Sequence, residues 1–159
     1  MLSVEGKHNG SQVFCDVVLM SIESLAGMPV GVGNARSKKL IGMRALIDTG
    51  ATHTCITSRA ALKLDLDPLG FVPTTGIHGT SKVPYYLFRI GFISSKSNDE
   101  DIAPNNLAIM DEAVRGTELQ AHVDFDILLG MDVISCGNLF VWQNRRYRFE
   151  FDDAGTPTY

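Results

Sequence analysis

Residues 45–54 constrain this chain more than any other stretch. Three apolar residues, Ala45-Leu46-Ile47, end at a carboxylate, Asp48. The chain then turns through Thr49-Gly50-Ala51 and resumes as Thr52-His53-Thr54-Cys55-Ile56, with small and β-branched residues. Such a run reads as a buried strand that stops at an acidic side chain. Gly50 lets the backbone bend tightly beside the carboxylate, where a Cβ would crowd it. Asp and Gly are also ordinary turn residues, so the tetrapeptide alone fits an exposed β-turn. Two features argue against that plain reading. One is the apolar run before Asp48, and the other is a second pattern downstream, Ile127-Leu128-Leu129-Gly130-Met131-Asp132.

The stretches between these two patterns supply further elements. Residues 12–22 alternate loosely through Val13, Cys15, Val17 and Leu19 and predict a first strand. Residues 40–47 predict the strand into the turn. Thr57 or Ser58 is placed to cap a short helix through Ala60, Ala61, Leu62 and Leu64, stopped by Asp67-Pro68. Extended flanks around Gly76-Ile77-His78-Gly79 predict a β-hairpin, with both glycines supplying freedom in φ at its tip. Residues 84–94 continue as an aromatic strand, and residues 94–106 are polar and read as a surface loop. Residues 107–114 and 123–129 predict two more strands, and residues 133–136 a helical turn. Residues 139–143 and 146–151 predict a closing hairpin that turns at Asn144-Arg145. Its aromatic residues are most simply core, whereas Phe140 and Trp142 fit a core or an interface equally.

Taken in order, the Asp48-Thr49-Gly50-Ala51 loop, short helix, hairpin, apolar strand and Gly130-Met131-Asp132 turn resemble the retropepsin-like (retroviral-type) aspartic proteases. The resemblance covers about residues 45–135, over half the chain. It implies an all-β, barrel-like domain with one or two short helices, a single unit over residues 1–159 with its core at about 40–152. It implies that Asp48 is catalytic, supported by Thr49, Gly50 and Ala51, with Thr49 bonding across to a partner loop. It implies that Gly76, Ile77, His78 and Gly79 form a flap over the substrate. Leu128 then lines the pocket or packs in the core. Asp132 reads as a helix-capping carboxylate. Asp-Thr-Gly occurs once and Asp-Ser-Gly not at all. Two carboxylates sharing one proton are needed, so the second must come from another copy, which implies a homodimer acting on an extended peptide. The rival reading is a dimerisation or peptide-binding module that keeps the fold with a weak or inactive site.

The sequence departs from the family in places. His78 stands where many relatives have Gly, and it reads as an exposed turn residue or as a source of pH-dependent flap behaviour. Thr52-His53 replaces an acidic pair of several retroviral enzymes. The Gly130-Met131-Asp132 form is closer to cellular, bacterial or retrotransposon members.

Composition excludes other classes. A net charge of −4 does not favour nucleic acid. The basic clusters at residues 36–39 and 145–148 read as solvated loop or edge charges. No run approaches the roughly 20 apolar residues of a membrane span. Residues 1–11 lack the apolar core of a signal peptide, and three scattered cysteines suit free thiols in a reducing cytoplasm. Asn9-Gly10-Ser11 reads as a turn. Gly31-Val32-Gly33 lacks the third Gly of a dinucleotide loop. No cofactor is expected. Asp124 and Asp126 lack further ligands for a metal, and the four His and three Cys form no zinc pattern. Cys55 with His53 makes a poor nucleophile pair, because residues two apart on a strand seldom bond in the way a thiolate–imidazole pair needs.

Overall fold

Alternating apolar residues in strands between residues 13 and 129 build a curved sheet that closes on itself. The computed structural model describes residues 2–22, 40–76, 79–93, 107–119 and 124–151. The strands are β1 (Leu2–Lys7), β2 (Val13–Ser21), β3 (Ile41–Ile47), β4 (Cys55–Thr57), β5 (Gly70–Gly76), β6 (Gly79–Ile93), β7 (Leu107–Ile109), β8 (Val114–Leu119), β9 (Ile127–Leu129), β10 (Gly137–Val141) and β11 (Arg146–Phe151). Two short helices, α1 (Ser58–Lys63) and α2 (Met131–Ile134), follow β4 and β9. The larger sheet runs β2-β3-β9-β4-β8-β6-β5, and β2 also pairs with β6. That extra pairing closes β2, β3, β9, β4, β8 and β6 into a barrel and removes their open edges. The hairpin β5–β6 projects from it, with Gly76 facing Gly79 at the end of the ladder. Mostly strand with two short helices is the fold class the sequence implied.

Inward residues of these strands fill the barrel. Val17, Leu19, Ala45, Ile56, Phe88, Ile90, Phe92, Ile127 and Leu129 have no exposed surface. A second sheet, β1-β11-β10, joins both ends of the described chain. Its alternating Tyr147, Phe149 and Phe151 are buried. Phe149 meets Phe92 of the barrel edge-on at 5.6 Å, and Phe151 lies 4.3 Å from it. Those rings weld the two sheets, consistent with the reading of this strand as core. Phe140, Val141 and Trp142 differ. They are 43%, 52% and 42% exposed, so they are not core of this chain, and the Phe140 and Trp142 rings stack at 6.0 Å.

Several local expectations need correction. Helix α1 is capped as expected, the Thr57 hydroxyl accepting the Ala60 N–H at 3.2 Å. It stops before Asp67-Pro68, because Asp65 takes a left-handed conformation (φ 56°) just beyond the Leu64 cap. The strand expected over residues 107–114 is two strands. The Met110 N–H bonds to the Ile90 carbonyl, and the exposed pair Asp111-Glu112 then breaks the ladder. Residues before 40 contribute more than the sequence reading assigned them. β2 closes the barrel, and β1 pairs along its whole length with β11. The Asn9 turn forms as read, with Asn9 Oδ1 accepting the Ser11 and Gln12 N–H groups at 2.9 and 2.7 Å. Residues 27–34, the basic cluster at 36–39, the polar loop at 94–106, Ile77, His78 and His122 lie outside the described residues. No described helix is long and apolar enough to cross a membrane.

The core holds the acidic protons of Cys15, Tyr86 and Tyr147 tightly. Burial, then Asp16, push the Cys15 thiol up to about 12. Burial, then its bond to Glu118 (2.6 Å), push the Tyr86 phenol up to about 12. Their ordinary values are about 8.5 and 10. The unfolded chain therefore releases protons at a pH where the folded chain keeps them. This contribution is fully present below about pH 8.5 and is lost as pH rises toward 12. Urea unfolding from pH 8 to 11 should show stability falling across that window, and Cys15→Ala should flatten its lower part.

Candidate active site

Strand β3 ends at Asp48 because the chain needs its neighbour there. The Asp48 N–H donates to the Leu129 carbonyl at 3.0 Å, extending the parallel β3–β9 ladder by one bond. The backbone then folds back, with the Ala51 N–H donating to the Asp48 carbonyl at 3.2 Å. Gly50 sends its N–H to Asp48 Oδ1 at 2.9 Å, which fixes the half-buried carboxylate. A Cβ on Gly50 would stand 3.2 Å from that same oxygen. Glycine is favoured at this position by crowding, not by a left-handed φ. Thr49 is exposed and Ala51 half-buried.

The turn is locked from behind by a buried threonine. Thr54 has no exposed surface. Its N–H donates to Asp132 Oδ2 at 3.0 Å and its hydroxyl donates to Oδ1 at 2.8 Å. The same hydroxyl accepts the Gly130 N–H at 3.1 Å. The carbonyls of Ala51 and Thr52 accept the N–H groups of Met131 and Asp132 at 2.8 and 3.3 Å. The two sequence patterns thus meet backbone to backbone. A Cβ on Gly130 would come within 2.5 Å of the His53 carbonyl carbon, so no side chain fits there. Asp132 is not the helix cap that the sequence suggested. The N-cap of α2 is Gly130, without a side-chain bond, and the Asp132 carboxylate is spent on Thr54. The sequence reading missed Thr54; its one signal was a hydroxyl inside an otherwise strand-like run.

A continuous band of residues links this turn to the hairpin. Leu46 pairs with Leu128, Leu128 with Cys55, Cys55 with Thr117, Thr117 with Tyr85, and Tyr85 with Gly70 at the hairpin base. Register partners share a face of the sheet, so this band lies on one side and the barrel core on the other. Leu128 is half-buried on this band, beside Cys55. The Tyr85 ring fills the space over Gly70 and carries the Arg115 guanidinium at 4.0 Å. Gly79 takes φ 110°, a conformation that favours glycine.

Other chemistries find little support. Burial, then Asp132 and Asp48, hold the Cys55 thiol above its ordinary range, which keeps it protonated. It faces the His53 backbone carbonyl at 3.8 Å. Asp126 is engaged by Arg59 (Nη2 at 2.9 Å) and by the Arg44 N–H at 3.3 Å. No group of three His, Cys, Asp or Glu side chains is placed to hold a metal among the described residues.

The family described as aspartyl protease matches residues 31–133, which include both the Asp48 turn and the Gly130 turn. Among solved structures, a retropepsin-like aspartic protease from Rickettsia conorii matches with a TM-score of 0.55 at 11% identity, over 94% of this chain and 91% of that one. At that identity the likeness is one of fold. No curated protein matches the chain.

Thr54→Val keeps the shape and removes the hydroxyl. It strands the buried Gly130 N–H and one Asp132 oxygen, at a cost of about 1–3 kcal/mol. Urea denaturation should show that loss, whereas Thr54→Ser should recover most of it.

Proposed function

We propose that the chain, which belongs to the aspartyl protease family and is an aspartic-type peptidase, works as a homodimeric endopeptidase with one Asp48 from each copy in a shared site. The observation that carries this reading is the Asp48 turn. One fixed carboxylate stands at the end of β3, its backbone tied to Leu129 and its Oδ1 to Gly50. The sequence holds one such loop. Two copies related by a two-fold axis bring two carboxylates together, and mutual repulsion keeps one of them protonated.

The chemistry follows from that pair. The ionised carboxylate takes a proton from a water, whose oxygen attacks the scissile carbonyl carbon. The protonated carboxyl donates to the carbonyl oxygen as negative charge develops there. The tetrahedral intermediate then collapses. The C–N bond breaks, the nitrogen receives a proton, and a carboxylic acid and an amine leave. Thr49, exposed beside Asp48, bonds across to the other copy in this reading.

The hairpin β5–β6 is read as the flap, with Gly76 and Gly79 flanking Ile77 and His78. An extended peptide lies between it and the carboxylate pair, bonded strand to strand. Leu128 and its neighbours on the band from Leu46 to Tyr85 make the wall apolar, which favours hydrophobic residues beside the cut bond. Exposed Phe140, Val141 and Trp142 suit an interface between copies. Residues 1–159 act as one domain. Three free thiols suit a reducing, cytoplasmic setting.

A peptide-library digest read by mass spectrometry tests the proposal, with wild type and Asp48→Asn side by side from acidic to neutral pH. The wild type should cut, and Asp48→Asn should lose the activity while keeping fold and dimer. Light scattering on the same samples supplies the control. A dimeric wild type that cuts nothing would favour the binding-module reading instead.

A further inference from the structure

A cavity of about 520 Å³ opens in the seam between the terminal sheet and the barrel, away from the Asp48 turn. Its volume lies in the range of about 300–1,000 Å³ usual for ligand sites. One wall is β1, from Val4 to Lys7. This strand ladders with β11 alone; its other edge lies toward β2, with no ladder between them among the described residues. An unladdered edge offers a row of backbone donors and acceptors. The facing wall is the outer side of β2 and β3, carrying Phe14, Asp16 and Arg44. Asp16 and Arg44 are register partners across those strands.

The charges on these walls are unevenly committed. Glu5 is held by Arg148 at 2.6 Å and by Arg146 at 3.7 Å. Arg44, Lys7 and Asp16 make no ion pair among the described residues. The Arg44 guanidinium lies 4.2 Å over the Phe14 ring. A guanidinium held on an aromatic face keeps its N–H edge for a planar acceptor such as a carboxylate. Two free cations against one free carboxylate leave the seam favouring a ligand with a single negative charge.

We propose that this seam is a second peptide site, in which an extended, carboxylate-bearing segment adds to the edge of β1 and pairs its carboxylate with Arg44. The β1 edge supplies sequence-independent backbone bonds, and Arg44, steadied by Phe14, supplies selection. Lys7 adds attraction, and Asp16 disfavours segments with several acidic groups. A chain terminus and an acidic side chain both present the required carboxylate. The site is separate from the Asp48 turn and stands whether or not that centre turns over. Peptide hydrolysis creates a new terminal carboxylate at each cut, so its products carry the group this seam selects.

The test is an NMR titration of ¹⁵N-labelled full chain carrying Asp48→Asn, which prevents hydrolysis of the probe. The probes are acetyl-Val-Thr-Val-Thr as the free acid, the same peptide as its amide, and acetyl-Val-Asp-Val-Thr amide. The free acid should shift the amide signals of Val4 to Lys7 and the Arg44 side-chain signal. The plain amide should bind at least about tenfold more weakly, the size of one charge-assisted bond. Arg44→Gln should weaken the free acid by a similar factor. If the Asp-containing amide binds like the free acid, the source is a side chain; if it binds like the plain amide, the source is a chain end. Equal binding of free acid and plain amide overturns the proposal, and that comparison needs no variant at Arg44. Shifts confined to the Asp48 turn, or no binding at millimolar peptide, overturn it as well.

Discussion

The Thr54 hydroxyl is the point on which the site depends. It donates a hydrogen bond to Asp132 and accepts one from the Gly130 N–H, while its own backbone N–H goes to the other Asp132 oxygen. All of this occurs without exposed surface at Thr54. Buried polar groups that are fully paired hold one geometry, because each alternative strands a donor or an acceptor. Here the geometry held is the approach of the Asp48 turn to β9 and α2. The close contact of Gly130 with the His53 backbone follows from it, and so does the bond from the Asp48 N–H to Leu129. Asp48 is carried by a loop that is itself fixed from the side of β9 and α2.

Closure of the barrel does the rest of the positioning. Because β2 bonds to both β3 and β6, neither the strand that ends at Asp48 nor the hairpin strand has a loose neighbour. β6 is long enough to serve two purposes. Its second half packs Phe88, Ile90 and Phe92 into the core, and its first half leaves the barrel as an arm of the hairpin. The band from Leu46 to Tyr85 crosses the strands between turn and hairpin base in register. A rigid barrel thus carries a projecting hairpin at one end of the band and a fixed carboxylate at the other.

What was legible in the sequence was local. The Asp48 turn, the Thr57 cap and the alternation of Tyr147, Phe149 and Phe151 each express a short-range rule of turn, cap or strand. What was not legible depends on partners far away in the chain. β1 looks unremarkable until it is laid against β11, and Asp132 reads as a cap until Thr54 arrives beside it. The break between β7 and β8 did carry a signal, in Asp111-Glu112, but apolar neighbours on both sides masked it. Helix α1 ended early for a reason that composition does not carry, since Asp65 in a left-handed turn is permitted and not required. The aspartyl protease match, over residues 31–133, likewise leaves out β1, β2, β10 and β11, whose places are set by pairing across the chain.

The bonds between Thr54 and Asp132 span 78 residues. Contacts so distant along the chain form only after the intervening segment has been made and threaded into place. A growing polypeptide that has emerged only as far as the hairpin holds Asp48 on a strand with no β9 to align it. The fixed geometry of the Asp48 turn is therefore a late acquisition of the growing chain, since it waits for nearly the last of the strands.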